Sequence, residues 1–202
     1  MDLFTEGQKI TLYFTKGSNM VEIICSIDKV HDDRLDLILP QYFMRYIEHL
    51  QVGKKLTAKA FSKFGTIDFN TIVITSPLEE IFSIEMDYNS IHLTPGSEIP
   101  VIKAVEHINI INTESHSVYK FKTFEISSEY VKFTSDKNFE VKEEIDCAIN
   151  LPKDYGIINF RAVITERDPI YDNEYTAQYV TMTETDRQTL LYYMYLYSKD
   201  ID

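Results

Sequence analysis

Adjacent acidic residues occur at Asp32-Asp33, Glu79-Glu80 and Glu143-Glu144. Paired carboxylates can divide the general-acid and general-base roles when both face one cleft. Neighbours in a strand point to opposite faces, and neighbours in a turn point to water, so these pairs read as solvated charge. His31, His49, His92, His107 and His116 are isolated, with no His-x-x-x-His, Cys-x-x-Cys or Glu-x-x-His spacing, and no metal site is expected. The glycines never approach the spacing of a phosphate loop or a dinucleotide fingerprint, and Ser115-His116-Ser117 reads as a polar loop. Cys25 and Cys147 lie inside apolar runs and read as buried, unreactive thiols, in keeping with a reducing compartment. No catalytic constellation emerges, so a non-enzymatic protein is expected.

The elements that would position these residues are mostly strands. Gln8 to Phe14 alternates apolar and polar residues, Gly17-Ser18-Asn19 supplies a turn, and Val21 to Ile27 completes a hairpin. Leu35 to Leu39 is a third strand ending at Pro40, and Tyr42 to Leu50 forms a short helix or an aromatic-rich loop. Leu56, Ala58, Ala60 and Phe61 lead to a turn at Lys63-Phe64-Gly65, after which Ile67, Phe69, Thr71 and Val73 alternate with polar neighbours. Residues 76–100, punctuated by Pro77, Pro95, Gly96 and Pro100, form a joint holding one strand, Phe82 to Met86. Strands resume at Val105 to Ile110, Tyr119 to Glu125, Glu144 to Leu151, Ile157 to Thr165 and Thr176 to Met182. Lys153 to Gly156 and Asp168 to Asn173 are turns or loops. Such strand lengths and turns indicate small antiparallel barrels or sandwiches. Thr183 caps a C-terminal helix whose Leu190, Met194 and Tyr197 share one stripe.

At 202 residues, 44% hydrophobic and 26% charged, the chain is that of an ordinary globular protein of one large or two small domains. No apolar run approaches the ~18 residues of a membrane-spanning helix, and the acidic, polar start lacks a signal-peptide pattern; a soluble, cytoplasmic protein is expected. The net charge of -12 argues against a nucleic-acid or anionic-membrane surface.

Thr123 to Phe133 carries the most specific pattern. It reads as strand, tight turn, strand, with Ile126 before Ser127-Ser128 and Val131 and Phe133 alternating with Lys132. The segment resembles the Asp/Asn-x-Ser-x-x-Gly motif of PilZ domains, small β-barrels that in many bacteria bind cyclic di-GMP. Glu125 takes the acidic position, Ser127 matches, and Tyr130 stands where glycine belongs. Asn138 to Leu151 and Tyr175 to Tyr193, with Asp186-Arg187 opening the last helix, follow the same order, and Gln51-Val52-Gly53 to Val73 is similar to the N-terminal domain of flagellar-brake-type PilZ proteins. The resemblance implies an all-β chain of two small antiparallel β-barrel domains in tandem with a C-terminal α-helix. It assigns 1–98 to the N-terminal PilZ-associated domain and 99–202 to a degenerate PilZ barrel with its helix.

The family's ligand chemistry needs an Arg-x-x-x-Arg segment, which falls between Pro100 and Ile108. The sequence there, Pro-Val-Ile-Lys-Ala-Val-Glu-His-Ile, holds no arginine. A guanidinium fork grips phosphate bidentately and stacks on guanine, whereas Lys103 is a point charge. Two lost charge-assisted contacts remove roughly 3 to 6 kcal/mol, or about two to four decades of affinity. Glu106 adds a carboxylate where positive charge is needed, and the Cβ of Tyr130 obstructs a close approach that glycine permits. Lys103, Glu106, Glu125, Ser127 and Tyr130 are therefore expected to be a vestigial nucleotide site. No cofactor is expected, and a protein-interaction module in flagellar or pilus-based motility, recruited to a membrane-associated complex, is the function the resemblance implies. Tyr192, Tyr193 and Tyr197 wrap the helix and are the candidate partner surface. The alternative is a cyclic di-GMP receptor with a rebuilt site using Lys103, His107 and the Tyr130 ring.

Overall fold

The computed structural model describes residues 3–62, 65–79, 81–96, 101–111, 117–152, 155–171 and 173–199. The features read from the sequence at Lys63, Phe64, Glu80, Pro100, Ser115, His116, Lys153, Asp154 and Asp172 lie outside these residues. The chain divides into two compact units, Met1–Ser97 and Glu98–Asp202.

In the first unit the strands are β1 (Lys9–Lys16), β2 (Asn19–Val30), β3 (Arg34–Ile38), β4 (Lys55–Ser62), β5 (Gly65–Thr75), β6 (Phe82–Glu85) and β7 (His92–Pro95). Six of them close in the order β4-β1-β2-β3-β6-β5, with β5 returning to β4, and β7 pairs with the start of β5. Alternation decides which side chains face inward. Ile10, Leu12 and Phe14 of β1, Ile23, Cys25 and Ile27 of β2, and Leu56, Ala58 and Ala60 of β4 are all buried. Lys16 pairs with Asn19, so Gly17 and Ser18 form a two-residue loop, and Gly17 adopts the left-handed φ of +63° that such a loop requires. Asp32 and Asp33 sit exposed in the β2–β3 turn, as solvated charge should.

The segment Gln41–His49 is a 3-10 helix, broken at Tyr46, whose φ of -126° is not helical. The break fits the rule that 3-10 runs are short, because their hydrogen-bond geometry is poor. Phe14 holds it to the barrel, with its ring centroid 4.9 Å from His49 and 5.7 Å from Tyr46. The sequence reading missed β7. A strand of four residues ending in proline leaves little alternation to detect.

In the second unit the strands are β8 (Val101–Ile102), β9 (His107–Ile111), β10 (Val118–Ser127), β11 (Tyr130–Thr134), β12 (Glu144–Asn150), β13 (Ile157–Arg167) and β14 (Glu174–Met182), followed by helix α1 (Glu184–Lys199). The closed order is β11-β14-β13-β12-β9-β10 and back to β11, with β8 attached to β10. Both barrels close with six strands, and the all-β class, two small antiparallel barrels in tandem and the C-terminal helix are as expected from the sequence. Phe133 is fully buried between Phe121, Phe139 and Tyr175, with ring centroids 5.7 to 6.0 Å away. Aromatic pairs of this kind contribute about 0.5–1.5 kcal/mol each beyond their buried area.

Thr183 caps α1. Its Oγ1 accepts the Asp186 N–H at 3.1 Å and donates to the Asp186 carboxylate at 2.6 Å, satisfying an amide that the helix leaves without a partner. Both cysteines are buried, and burial pushes the Cys25 thiol up to about 12 and the Cys147 thiol up as well, so neither supplies a thiolate.

Candidate functional site

β10 is the axis of the region singled out by sequence. It ends at Ser127, β11 begins at Tyr130, and Ile126 faces Val131 while Glu125 faces Lys132. Neither turn residue has a positive φ, so this is not the primed turn of most two-residue hairpins. Instead the Ser127 Oγ accepts the Glu129 N–H at 3.2 Å and fixes the turn through a side chain. Ser127 is fully buried in that position.

Glu125 is occupied by its own hairpin. The Tyr130 phenol donates to Glu125 Oε1 at 3.0 Å, and Lys132 Nζ lies 3.2 Å from the same oxygen. The ammonium also sits 5.7 Å from the Tyr130 ring centroid. Burial pushes the Tyr130 phenol up, and the hydrogen bond and charge of Glu125 push it further. The hydrogen bond to Glu125 raises Lys132 in turn. Lys132 was not among the residues singled out by sequence, although a two-residue turn fixes the register that sets it opposite Glu125.

The segment between β8 and β9 runs beside the same strand. Val101 pairs with Ser127 and Ile102 with Ile126. Beyond them Thr123 serves both sides of the segment: its Oγ1 donates to the Ala104 carbonyl at 2.8 Å and accepts the Glu106 N–H at 2.9 Å, while its own N–H donates to the Glu106 carbonyl at 2.9 Å. Thr123 has an exposure of 1%, and these bonds satisfy a buried hydroxyl completely.

Helix α1 supplies the remaining ties. The Tyr193 phenol donates to Glu106 Oε1 at 2.6 Å, and the Tyr197 phenol donates to the Lys103 carbonyl at 2.7 Å. The Tyr193 ring packs 5.5 Å from Tyr155 and 5.8 Å from Tyr197, and Tyr192 lies 5.8 Å from Tyr155. Tyr193 is only 3% exposed and belongs to the barrel core. Of the three tyrosines expected to form a partner surface, Tyr193 packs and anchors, while Tyr192 and Tyr197 keep partial exposure. A tyrosine can bury its ring and still satisfy its hydroxyl through a carboxylate.

The structure thus gathers Lys103, Glu106, Glu125, Ser127 and Tyr130 along one strand but turns the two carboxylates to different partners. Glu125 faces a phenol and an ammonium of β11, and Glu106 faces a phenol of α1. The outward positions of the β8–β9 segment are Val101, Lys103, Val105 and His107, so two of its four exposed side chains are apolar.

A second polar cluster, not foreseen, lies in the first barrel. Asp36, 4% exposed, accepts the Ser83 hydroxyl at 2.7 Å, lies 2.8 Å from His31 Nε2 and has Arg34 Nε 3.6 Å away. Burial alone raises this carboxyl, but the hydrogen bonds from Ser83 and His31 and the charges of His31 and Arg34 outweigh it and hold the group below its usual value. Ser83 bonds to Asp36 and not to the imidazole, which is no arrangement for a nucleophile.

Comparison of the sequence with protein-family models gives no match, and comparison with curated proteins gives none. Solved structures to which the chain is similar include the Bacillus subtilis inhibitor of motility, MotI/DgrA, at 15% identity over 98% of this chain and 99% of that one, with a TM-score of 0.45. YcgR of Escherichia coli in complex with c-di-GMP is 12% identical over 96% of this chain and 85% of that one, with a TM-score of 0.45. MrkH, described as a c-di-GMP-dependent transcription regulatory factor, is 12% identical over 97% of this chain and 86% of that one, with a TM-score of 0.42. The strand pairings above, not these likenesses, define the two barrels. The structures to which the chain is similar are PilZ-domain proteins, the family that the order of residues from Thr123 to Phe133 resembles.

Proposed function

We propose that the chain is a non-catalytic, PilZ-like protein-interaction module of bacterial motility or its regulation, and that it has lost the usual mode of cyclic di-GMP binding. In this reading residues 1–98 form the N-terminal PilZ-associated domain and residues 99–202 the degenerate PilZ barrel, working in the cytoplasm without a cofactor. The motility setting comes from the family resemblance. The observation that supports the loss is the self-neutralised hairpin. Glu125 is bonded to Tyr130 and lies 3.2 Å from Lys132, Glu106 is bonded to Tyr193, and no arginine lies between Pro100 and Ile108. An incoming phosphate meets two carboxylates that already have partners, and it finds no guanidinium fork.

Calorimetric titration of the purified protein with cyclic di-GMP tests this. No saturable heat at micromolar ligand is expected. A dissociation constant in the micromolar range or tighter would overturn the proposal and leave the rebuilt receptor site, with Lys103, His107 and the Tyr130 ring, as the reading to pursue.

A further inference from the structure

The first barrel carries a groove of about 1150 Å³ on the outer face of β1, β4 and β5. Tyr13, Thr57 and Asn70 form one cross-strand row of it, since Tyr13 pairs with Thr57 and Thr57 with Asn70. Glu85 and Asp87 line it on the side of β6 and the turn that follows.

The groove coincides with an opening in the barrel seam. β1 and β4 pair only from Ile10 opposite Ala60 to Tyr13 opposite Thr57. Past that point β1 continues through Phe14, Thr15 and Lys16, paired with β2, and β4 starts two residues earlier, with Lys55 and Leu56 paired with β5. Among the described residues, each strand therefore keeps one main-chain edge turned to the gap, and Phe14, Thr15, Lys55 and Leu56 all line the groove. A sheet edge of unpaired N–H and C=O groups is a template for an added strand. Lys16 and Lys55, both exposed at this edge, are the kind of side chain that discourages the edges of two copies from pairing.

We infer that this groove binds an extended peptide segment of a partner protein by strand addition to the open ends of β1 and β4, with a basic side chain of the peptide set against Glu85 and Asp87. Main-chain hydrogen bonds to the open edges supply the affinity, and the row of Tyr13, Thr57 and Asn70 receives alternate side chains of the ligand. Charge complementarity sets the sign. The lining carries Asp68, Glu85 and Asp87 against Lys55 and Lys59, a small net negative charge; Lys59 is paired with Asp68 at 3.2 Å, and exposed Glu85 is open to an approaching lysine or arginine. A neutral sugar lacks the amide ladder that the two edges match. The inference concerns the first barrel and stands whether or not the second binds a nucleotide.

The test uses the full chain and a displayed library of random peptides about twelve residues long. Recovered peptides should be extended in pattern and carry Lys or Arg near one end. A synthetic copy of the best peptide, at saturation, should slow amide exchange at the groove-facing main-chain positions among Phe14, Thr15, Lys16, Lys55 and Leu56 by at least about tenfold, and leave the strands of the second barrel unchanged. Glu85→Lys should weaken that peptide by about tenfold or more, and Glu85→Gln by less. Recovery of no peptide above background overturns the inference, and so does protection confined to other strands or an affinity unchanged by Glu85→Lys. A dimer that forms with rising concentration and is lost in Glu85→Lys, with no peptide recovered, would assign the groove to a second copy of the chain and also overturn it.

Discussion

The phenol of Tyr193 donates a 2.6 Å hydrogen bond to the carboxylate of Glu106 across 87 residues of sequence, joining helix α1 to the segment between β8 and β9. Together with Tyr197 and Thr123 it ties Lys103, Ala104 and Glu106 of that segment to side chains of the same unit. Tyr193→Phe keeps the ring and removes the bond, so its cost should be that of one charge-assisted hydrogen bond, about 1.5–3 kcal/mol. Urea unfolding of the full chain measures it, and amide exchange should quicken around Ala104 and Glu106. Tyr193→Ala also empties a core site, and a loss of about 3–5 kcal/mol is expected. An alanine variant at Tyr193 therefore reports stability, and a Tyr193→Phe stability equal to wild type would show that the bond contributes nothing.

Four phenols, Tyr130, Tyr179, Tyr192 and Tyr193, and the two buried thiols give the pH dependence at the alkaline end. Tyr193 and Tyr179 are pushed up first by burial, and Tyr130 by burial and then by Glu125. A group whose pKa is raised on folding contributes stability that is complete below its unfolded value and is lost as pH rises through the folded one. The unfolded values are about 8.5 for cysteine and about 10 for tyrosine, so the decline should begin near pH 8.5 with the buried thiols of Cys25 and Cys147 and steepen above about pH 10 with the phenols. Thermal melts from pH 8 to 11 follow the decline, and Tyr193→Phe should flatten it. A melting temperature independent of pH across that interval would contradict the burial of these hydroxyls.

The acid end depends on Asp36. Its carboxyl is held below the usual value by Ser83, His31 and Arg34 against the opposing effect of burial. The sign is opposite to that of the phenols: the contribution is present above the unfolded value of about 3.9 and is lost as pH falls through the lower folded value. Asp36→Ala removes the shared acceptor and leaves the buried Ser83 hydroxyl without it, a change expected to cost about 3 kcal/mol. In urea melts between pH 2 and 5 the variant should lose less stability on acidification than the wild type.

Much of the fold was legible because alternation reports the core side of a strand directly. Ile10, Leu12 and Phe14, or Ile145, Cys147 and Ile149, are spaced by two and buried as that spacing requires. The cap at Thr183 and the turn at Gly17 were readable because each depends on chemistry local to a few residues. What sequence did not reveal depends on partners distant in the chain. Tyr193 meets Glu106 and Ser83 meets Asp36 only after the barrels close, and β7 exists because Gly65 lets it approach. At the candidate site, Glu125 and Tyr130 were found by type, but their engagement with one another and with Lys132 needed the register of the hairpin.

Gly65 makes the approach of β7 possible. It pairs with Pro95 at a φ of +144°, and a Cβ built there would collide with the Thr94 carbonyl oxygen and lie 2.7 Å from the Gly96 nitrogen. Both obstacles are backbone, so no side-chain rotation relieves them. Gly65→Ala should detach β7 while the closed six-stranded circuit, which does not need it, persists. Amide exchange at His92, Leu93 and Thr94 should rise sharply, with a stability loss of about 1–3 kcal/mol and little change in the second barrel.

Lys142 offers the complementary test, since relief of strain should stabilise. The Glu143 N–H donates to the Glu140 carbonyl at 3.0 Å, closing a turn in which Lys142 has a φ of +78°. That value belongs to the third residue of a type II turn, where glycine avoids the clash between Cβ and carbonyl that costs other residues roughly 1–2 kcal/mol. Glycine's greater freedom in the unfolded chain takes back about 0.5–1 kcal/mol. Lys142 is exposed, and its backbone N–H, which bonds to the Ile164 carbonyl at 2.7 Å, is retained in the variant. Lys142→Gly should therefore raise stability by about 0.5–1 kcal/mol, read as a higher urea midpoint with an unchanged slope. A lower midpoint would mean that the lysine side chain makes a contribution larger than the strain of its backbone.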